Sequence, residues 1–136
     1  MRKLITDRFA NLVDNQVICF DEPLKEHSSF KIGGPAEVFC QPQSYSQLIE
    51  LLVFALEHAL PYFILGKGSN LLISDGGLES LVIHTGSLDS IENDENYLSA
   101  RCGASLKDLC LKAMELGLSG LEFASGIPGS VGGAVF

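Results

Sequence analysis

The sequence predicts one domain that mixes helices with short strands. Apolar residues recur at helical spacing in three segments, whereas the other apolar runs are short and bounded by turn residues, as strands are. The chain has 136 residues, of which 46% are hydrophobic and 19% are charged. This composition is typical of a globular protein, and the length allows one core of ordinary size but not two independent domains.

The first forty residues predict a helix followed by two strands. Apolar side chains at positions i, i+4, i+7 and i+8 favour a short amphipathic helix at the start; they are Ile5, Phe9, Leu12 and Val13. Val17–Phe20 is a strand candidate, and the polar segment Asp21–Ser29 is predicted to be a loop. The alternating segment Ala36–Cys40 predicts the second strand, which Pro42 ends.

A second helix is predicted after this strand. Ser44 and Gln47 have the spacing of a capping box, in which two side chains satisfy free amides at a helix N-terminus. An apolar stripe continues as far as His58, and Pro61 ends the helical pattern. Tyr62–Leu65 is predicted to be a buried strand, so that strand, helix and strand form a right-handed parallel crossover.

The middle of the chain predicts further strands joined by turns. Leu71–Ile73 and Leu81–His84 are apolar runs that predict strands, with a turn at Asp75–Gly77 between them. The polar segment Ser87–Asn96 is predicted to be a hairpin connection that leads to a strand at Tyr97–Cys102.

A third helix is predicted in the last third of the chain. Ser105 and Asp108 repeat the capping-box spacing. Gly117 occupies the place of the glycine that commonly follows a helix C-terminus. Between them, five apolar side chains fall on one helical face: Leu106, Leu109, Cys110, Ala113 and Met114.

Charge and hydropathy exclude several classes of function. The net charge is −8, which is opposite in sign to a surface that binds nucleic-acid phosphates. No apolar stretch approaches the ~20 residues that a membrane helix needs. Asp7 lies where a secretory signal would be apolar. We therefore expect a cytoplasmic protein that binds neither nucleic acid nor membranes.

The cysteines and histidines form no recognisable metal or catalytic motif. The cysteines contain no Cys-x-x-Cys pair, and their apolar neighbours favour reduced thiols in the core: Cys19, Cys40, Cys102 and Cys110. The histidines are far apart in the sequence, and surface or capping roles are predicted for all three: His27, His58 and His84. No metal site is expected.

A glycine-rich loop follows the strand that ends at Leu65 and invites comparison with nucleotide-binding loops. A Walker phosphate loop is excluded, because Pro61 occupies the place of its first glycine and Gly68 follows Lys67. The dinucleotide fingerprint is excluded too, because it requires a glycine at Leu71 and then a helix. What remains is a loop whose glycines let the backbone approach a ligand and whose successive amides form an anion-binding nest.

A connection between strands that binds no ligand is the alternative for this first loop. Lys67 is the one cation in it, and a solvated lysine is more common than one that contacts a phosphate. The first loop alone leaves both interpretations open.

A second glycine-rich loop spans Ser125–Ala134, with four glycines in the eight residues from 126 to 133. An internal proline and apolar neighbours make it unlike a flexible linker and predict backbone that packs against a flat partner. Ordering so much glycine costs conformational entropy, which contact with a bound ligand can offset. A tight structural turn is the alternative.

Together, the two loops predict a large anionic cofactor with aromatic rings, its pyrophosphate on the first loop and its rings near the second. The net charge of −8 is consistent with binding by backbone amides in place of lysine and arginine side chains.

Three stretches of the sequence resemble one known family. They are Ser29–Ala36, Leu65–Leu72 and Gly117–Val135, in order and with fitting spacing, within a resemblance that runs from about Phe20 to the end of the chain. The family is that of the UDP-N-acetylenolpyruvoylglucosamine reductases, flavoenzymes of peptidoglycan synthesis. The glycine loop of the third stretch is shared by other flavoproteins of the vanillyl-alcohol-oxidase type, so the other stretches narrow the resemblance to the reductases.

The resemblance implies an α+β FAD-binding domain with small mixed sheets and flanking helices, of which residues 1–136 are the N-terminal part. It implies noncovalent FAD, because relatives that attach flavin covalently often use a histidine in the first loop, and this loop has none. The cofactor contacts that it implies are Gly66, Lys67, Gly68, Ser69, Asn70 and Leu71 in the first loop, and Ser125, Gly126, Ile127, Pro128, Gly129, Ser130, Gly132, Gly133 and Ala134 in the second.

The resemblance also implies a reaction. In the family, NADPH reduces the flavin, which passes hydride to the enolpyruvyl group of a nucleotide sugar and gives the lactyl ether. The sequence ends at Phe136, before the rest of the flavin domain, the substrate domain and the family's catalytic serine, glutamate and arginine. We therefore expect no catalytic residue in these 136 residues and no turnover by them alone.

One further departure from the family pattern is the sequence His27-Ser28-Ser29, where Asn-Thr-Ser is usual. Two alternatives to the reductase remain: another flavin oxidoreductase of the same fold, and a nucleotide-binding module without chemistry. The sequence predicts no oligomeric state.

Overall fold

Helices and strands follow one another along the chain in a computed structural model that describes residues 1–136. The helices are α1 (Arg2–Asp14), α2 (Tyr45–Glu57), α3 (Leu106–Glu115) and α4 (Val131–Val135). The strands are β1 (Ile18–Pro23), β2 (Pro35–Cys40), β3 (Tyr62–Leu65), β4 (Leu78–His84), β5 (Ile91–Asp94) and β6 (Tyr97–Ala100). Short 3₁₀ turns lie at Leu24–His27 and Glu122–Ala124. None of the helices is both long enough and apolar enough to cross a lipid bilayer.

Four of the strands form a mixed sheet in the order β1-β2-β4-β3. β1 is antiparallel to β2, whereas β2 and β3 both run parallel to β4. The predicted strand-helix-strand unit is therefore confirmed as parallel, with β4 inserted between its two strands. β5 and β6 form a separate antiparallel hairpin.

The two faces of the mixed sheet bury two hydrophobic clusters, because side chains alternate between the faces along each strand. On one face, Val38 and Leu81 pack against Ile5 of α1 and Leu51 of α2 in a helix-side cluster. On the other face lies a loop-side cluster of Leu24, Ala36, Phe39, Leu65, Ile73 and Val82. Ile73 belongs to the segment that joins β3 to β4, so the loop-side cluster anchors the glycine-rich first loop to the sheet.

The N-terminus of α2 confirms one of the two predicted caps. The Ser44 side chain accepts a hydrogen bond from the Gln47 amide at 3.3 Å, and the Gln47 side chain accepts one from the amide of Gln43 at 2.8 Å. Ser105 makes no such bond at the start of α3, so the second predicted capping box is wrong. Instead, the amide of Leu106, the first residue of α3, donates to the backbone carbonyl of Gly129 in the second glycine-rich loop.

The C-terminus of α3 is closed at Gly117, as predicted. Gly117 has a φ of +68°, and its amide donates to the carbonyl of Met114 at 3.1 Å. The amide of Leu118 donates to the carbonyl of Ala113 at 2.9 Å, which completes a Schellman motif.

The same motif closes α2, but with an alanine in the left-handed position. Ala59 has a φ of +49°, a conformation in which a Cβ crowds the backbone.

We expect Ala59→Gly to raise the free energy of unfolding by about 1 kcal/mol, since glycine adopts this φ without that penalty. Urea unfolding followed by circular dichroism measures the change. Glu50→Gly, at an exposed position inside α2, is the control and should lower stability by up to about 1 kcal/mol; a loss of stability in Ala59→Gly would contradict the assignment.

Several strand predictions differ from the structure. Leu71–Ile73 forms no strand, because no neighbouring strand offers its backbone a partner, although Ile73 is buried as a strand residue would be. Tyr62–Leu65 is a strand, but only Leu65 in it is buried, because β3 lies at the edge of the sheet.

Two segments predicted to be irregular contain strand residues. β1 extends through Pro23 into the predicted loop Asp21–Ser29, and it tolerates the proline because it is an edge strand. β5 lies inside the predicted connection Ser87–Asn96, where it pairs with β6. Both segments form strands because a neighbouring strand pairs with them, and the polarity of a segment does not reveal such a pairing.

The cysteines are all free, and Cys40 lies in the helix-side cluster, where burial raises the pKa of its thiol. The other three are half-buried. His58 confirms its predicted capping role, since its Nδ1 lies 3.0 Å from the carbonyl oxygen of Phe54 at the end of α2. The other two histidines lie elsewhere, at the site described next.

Candidate cofactor site

The first loop, Gly66–Leu71, and the second loop, Ser125–Ala134, lie against each other. The Ser69 hydroxyl donates to the carbonyl of Pro128 at 3.1 Å. A Cβ built on Gly66 would lie 2.5 Å from Oγ of Ser130, and one on Gly129 would lie 3.5 Å from Oγ of Ser69. The structure therefore brings together the two loops that the sequence singles out.

The segment His27–Ser29 packs beneath the first loop. The amide of Ser29 donates to the carbonyl of Gly68 at 3.0 Å. Gly68 has a φ of +60°, and a Cβ on it would lie 2.1 Å from the carbonyl oxygen of His27. Only glycine fits this position, because both the backbone conformation and the close backbone approach exclude a side chain.

The first loop presents a row of backbone amides without partners. No amide from Gly66 to Leu71 donates a hydrogen bond to another group of the chain. In folded proteins, backbone amides that are shielded from water nearly always have a partner, and Gly68 is itself buried. Consecutive free amides on a glycine-rich turn are the donor set of an anion-binding nest.

The second loop is pinned to the residues before α3 by backbone hydrogen bonds. Leu106 donates to Gly129 at 3.1 Å, and Val131 donates to Ala104 at 2.8 Å. Ser105 and Ser130 thereby face each other as an isolated antiparallel bridge. This pairing fixes Pro128–Ser130 beside the first loop.

The end of the second loop is a helix, which the sequence analysis did not predict. α4 begins after Ser130, whose hydroxyl accepts a hydrogen bond from the amide of Gly133 at 3.3 Å. The glycine at 132 has a packing reason, since a Cβ there would lie 2.9 Å from the backbone oxygen of Cys102. Gly133 and Ala134 are exposed on α4.

The candidate residues therefore divide into groups. Gly66, Gly68, Ser69, Pro128, Gly129 and Ser130 converge where the loops meet. Lys67 and Asn70 are exposed, as are the four residues that open the second loop: Ser125, Gly126, Ile127 and Pro128. No group of three or more histidine, cysteine, aspartate or glutamate side chains could hold a metal ion.

A pair of half-buried histidines lies beside the first loop, where the sequence analysis predicted surface or capping roles. The ring centroids of His27 and His84 are 5.3 Å apart, and both rings stack against Phe39. Nε2 of His27 lies 2.8 Å from a carboxylate oxygen of Glu22. The surface prediction for His27 and His84 is therefore wrong. Their proximity depends on β2, which carries Phe39 and lies between β1 and β4, and the histidines' positions in the sequence do not reveal this arrangement.

His84 pairs with Leu65, the residue that precedes the first loop. Burial lowers the pKa of His84, as does the neighbouring His27, whereas a backbone hydrogen bond with Gly66 acts in the opposite direction. Nδ1 of His84 is buried and has no hydrogen-bond partner. The ring therefore lies at the point where the loop leaves β3.

Comparison with known proteins places the chain among flavoproteins. A family model described as "FAD binding domain" matches residues 36–136, which is more than half of the chain. UDP-N-acetylenolpyruvoylglucosamine reductase of Clostridium botulinum (strain Hall) is 43% identical over 128 residues, covering 94% of this chain and 42% of the relative. The reductase of Clostridium perfringens (strain SM101) is 46% identical over 119 residues, covering 88% of this chain and 39% of the relative. The chain thus spans about two fifths of the length of these curated relatives.

Solved structures agree with this assignment. The crystal structure of UDP-N-acetylenolpyruvylglucosamine reductase from Thermus caldophilus matches with a TM-score of 0.66 and 34% identity, covering 87% of this chain and 40% of that one. The flavoenzyme CrmK of caerulomycin biosynthesis matches with a TM-score of 0.58 and 13% identity, covering 73% of this chain and 22% of that one, and this likeness concerns the fold alone. The fold class that the sequence resemblance implies is confirmed, and the chain belongs to the FAD binding domain family.

Proposed function

We propose that residues 1–136 bind FAD noncovalently as the N-terminal part of a UDP-N-acetylenolpyruvoylglucosamine reductase. The observation that carries this proposal is the row of unpartnered amides from Gly66 to Leu71. Those amides suit a pyrophosphate, because an anion of that size accepts several hydrogen bonds at once and needs no lysine or arginine.

The residues of the two loops have different roles in this proposal. The first loop holds the pyrophosphate, and Pro128–Ser130 form the wall beside it through the contact with Ser69. FAD supplies hydride-transfer chemistry when it is bound. The residues of this chain bind and orient it, and we assign none of them a catalytic role.

The activity that we propose for the whole protein is the NADPH-dependent reduction of an enolpyruvyl nucleotide sugar in peptidoglycan synthesis. The names and the 43–46% identity of the curated relatives support it. Because the chain spans about two fifths of those relatives, the groups that act on the sugar are expected in the part of the relatives that it does not match.

Titration of the flavin-free polypeptide with FAD, followed by flavin fluorescence, tests the binding proposal. We expect saturable binding of one FAD per chain, and an affinity for riboflavin about 100-fold lower, since riboflavin lacks the pyrophosphate and forfeits two or more charge-assisted hydrogen bonds. Acid denaturation and filtration should release all the flavin.

Each outcome bears on a different part of the proposal. Equal affinities for FAD and riboflavin would contradict the role of the first loop. Flavin that stays with the acid-denatured polypeptide would contradict noncovalent binding. If no saturable binding occurs although circular dichroism shows a folded protein, the proposed function is wrong for this chain.

A further inference from the structure

We propose that Glu22 and His27 are positioning residues of the cofactor site. The hydrogen bond between their side chains fixes the segment His27–Ser29, and that segment holds the first loop in the shape that presents its free amides. The proposal rests on the proposed function and deepens it, since it gives two residues outside both glycine loops a part in the recognition of pyrophosphate. It starts from the contacts of the His27 side chain.

Two strands of the mixed sheet hold the His27 ring. Its Nε2 lies 2.8 Å from a carboxylate oxygen of Glu22 in β1, and the ring stacks on Phe39 of β2 with centroids 4.5 Å apart. Nε2 is the donor, because a carboxylate only accepts hydrogen bonds. The exposed fraction is 20% for the His27 side chain and 31% for that of Glu22, so the bond is partly shielded from water. A hydrogen bond to a charged acceptor is about twice as strong as one between neutral groups.

The 3₁₀ turn that carries His27 is anchored on both sides. Leu24, its first residue, is fully buried in the loop-side cluster. Ser28, which follows the turn, is also buried, and its hydroxyl donates to the carbonyl of Ile32 at 3.1 Å. Within the turn, the bond from His27 to Glu22 is the only hydrogen bond that one of its side chains makes. This bond therefore sets the orientation of the residue that leads into the segment beneath the loop.

A displacement of His27 reaches the first loop because their backbones are in direct contact. A Cβ on Gly68 would lie 2.1 Å from the carbonyl oxygen of His27, and the amide of Ser29 donates to the carbonyl of Gly68 at 3.0 Å. In a planar trans peptide, a carbonyl and the following N–H group point in opposite directions. The bond from Ser29 therefore turns the unpartnered amide of Ser69 away from the segment beneath it, where an anion can bind.

These contacts couple the Glu22–His27 bond to the pyrophosphate of the cofactor. The segment His27–Ser29 contacts the first loop, which in the proposed function holds the pyrophosphate. Loss of the bond should therefore weaken the binding of FAD and leave that of riboflavin, which has no pyrophosphate, unchanged. A merely structural role would lower the free energy of unfolding without changing the ratio of these two affinities.

Titrations of folded variants with FAD and with riboflavin test the proposal. His27→Phe keeps a ring on Phe39 but has no donor, and we expect it to bind FAD about tenfold more weakly and riboflavin with the wild-type affinity. His27→Gln keeps an N–H donor and should recover the FAD affinity to within about threefold of the wild type. Glu22→Leu lacks the acceptor and should match His27→Phe. The double variant should bind at most about twofold more weakly than either single variant, because both lose the same bond.

Arg2→Leu is the matched control. Nη1 of Arg2 lies 2.8 Å from a carboxylate oxygen of Asp21, the residue before Glu22 in β1. This variant loses a charged hydrogen bond of the same strand, but that bond joins β1 to α1 and not to the segment beneath the loop. Both flavin affinities should therefore keep their wild-type values. Circular dichroism checks that every variant is folded.

Amide hydrogen exchange of the flavin-free protein provides a readout that does not depend on FAD. The amide of Ser29, which donates to Gly68, should exchange about tenfold faster in His27→Phe than in the wild type and should recover in His27→Gln. An unchanged FAD affinity in folded His27→Phe, an equal loss of FAD and riboflavin affinity, or additive losses in the double variant would overturn the proposal. If the wild type binds no FAD while exchange at Ser29 changes as expected, the proposed function fails and the role of the pair in ordering the first loop stands.

Discussion

Gly68→Val is expected to weaken FAD binding by at least about 100-fold. Gly68 has a φ of +60°, and a Cβ there would lie 2.1 Å from the carbonyl oxygen of His27 and 3.0 Å from Cα of Ser28. These are backbone atoms, which cannot move aside as the end of a flexible side chain can. The first atom of the valine side chain therefore collides with the protein itself, in a backbone conformation that valine rarely adopts.

Two other variants of the site make the comparison specific. Lys67→Ala should weaken binding by no more than about 1 kcal/mol, because Lys67 is exposed and contributes at most a screened charge. Gly129→Val should have an intermediate effect, because a Cβ at Gly129 meets only Oγ of Ser69 at 3.5 Å, an ordinary contact, but the φ of +157° is one that valine rarely adopts. Fluorescence titration ranks the three variants, and circular dichroism checks that each is folded. A larger loss in Lys67→Ala than in Gly68→Val would show that the anion lies on the lysine and not on the amides.

Gly77→Ala is expected to lower the free energy of unfolding by about 3 kcal/mol or more, or to prevent folding. Gly77 has a φ of +79°, and a Cβ there would lie 2.0 Å from the carbonyl oxygen of Pro35. Gly77 lies in the turn before β4, where the backbone crosses the residues before β2. The second segment is equally close, since a Cβ on Gly34 would lie 2.1 Å from the carbonyl oxygen of Asp75. The amide of Gly34 donates to Ser74 at 2.8 Å, so the two backbones are bonded where they cross.

The neighbouring glycine offers a matched control for this experiment. At Gly76 a Cβ would meet only Oγ of Ser74, at 3.6 Å, so Gly76→Ala should change stability by less than about 0.5 kcal/mol. Urea unfolding of both variants, followed by circular dichroism, compares positions that are adjacent in sequence and equal in chemistry. Similar stabilities for the two variants would refute the close crossing of β2 with the turn before β4.

Local patterns predict the parts of the fold that local interactions determine. Ser44 caps α2, and Gly117 closes α3, because both positions satisfy backbone groups within a few residues of themselves. β5 and the irregular course of Leu71–Ile73 escape prediction for one shared reason. A strand exists only where another strand pairs with it, and neither composition nor periodicity specifies that partner.

The candidate site likewise combines features that the local sequence reveals with features that depend on distant parts of the chain. The two glycine loops are recognisable from their composition, and Gly66, Gly68 and Gly129 do lie where the loops meet. The histidine pair is not recognisable, because His27 and His84 come together only through the pairing of β2 with both β1 and β4. The helix α4 is missed because two of its five residues are glycines, and its start depends on the bridge between Ser105 and Ser130.

The central position of β4 links the energetics of the two sides of the sheet. Leu81 and Ile83 belong to the helix-side cluster and Val82 to the loop-side cluster, so neither cluster can come apart without exposing residues of the same strand. We therefore expect the two layers of the mixed sheet to unfold together. A ligand that orders the first loop consequently adds its binding free energy to the stability of α1 and α2, which it does not touch.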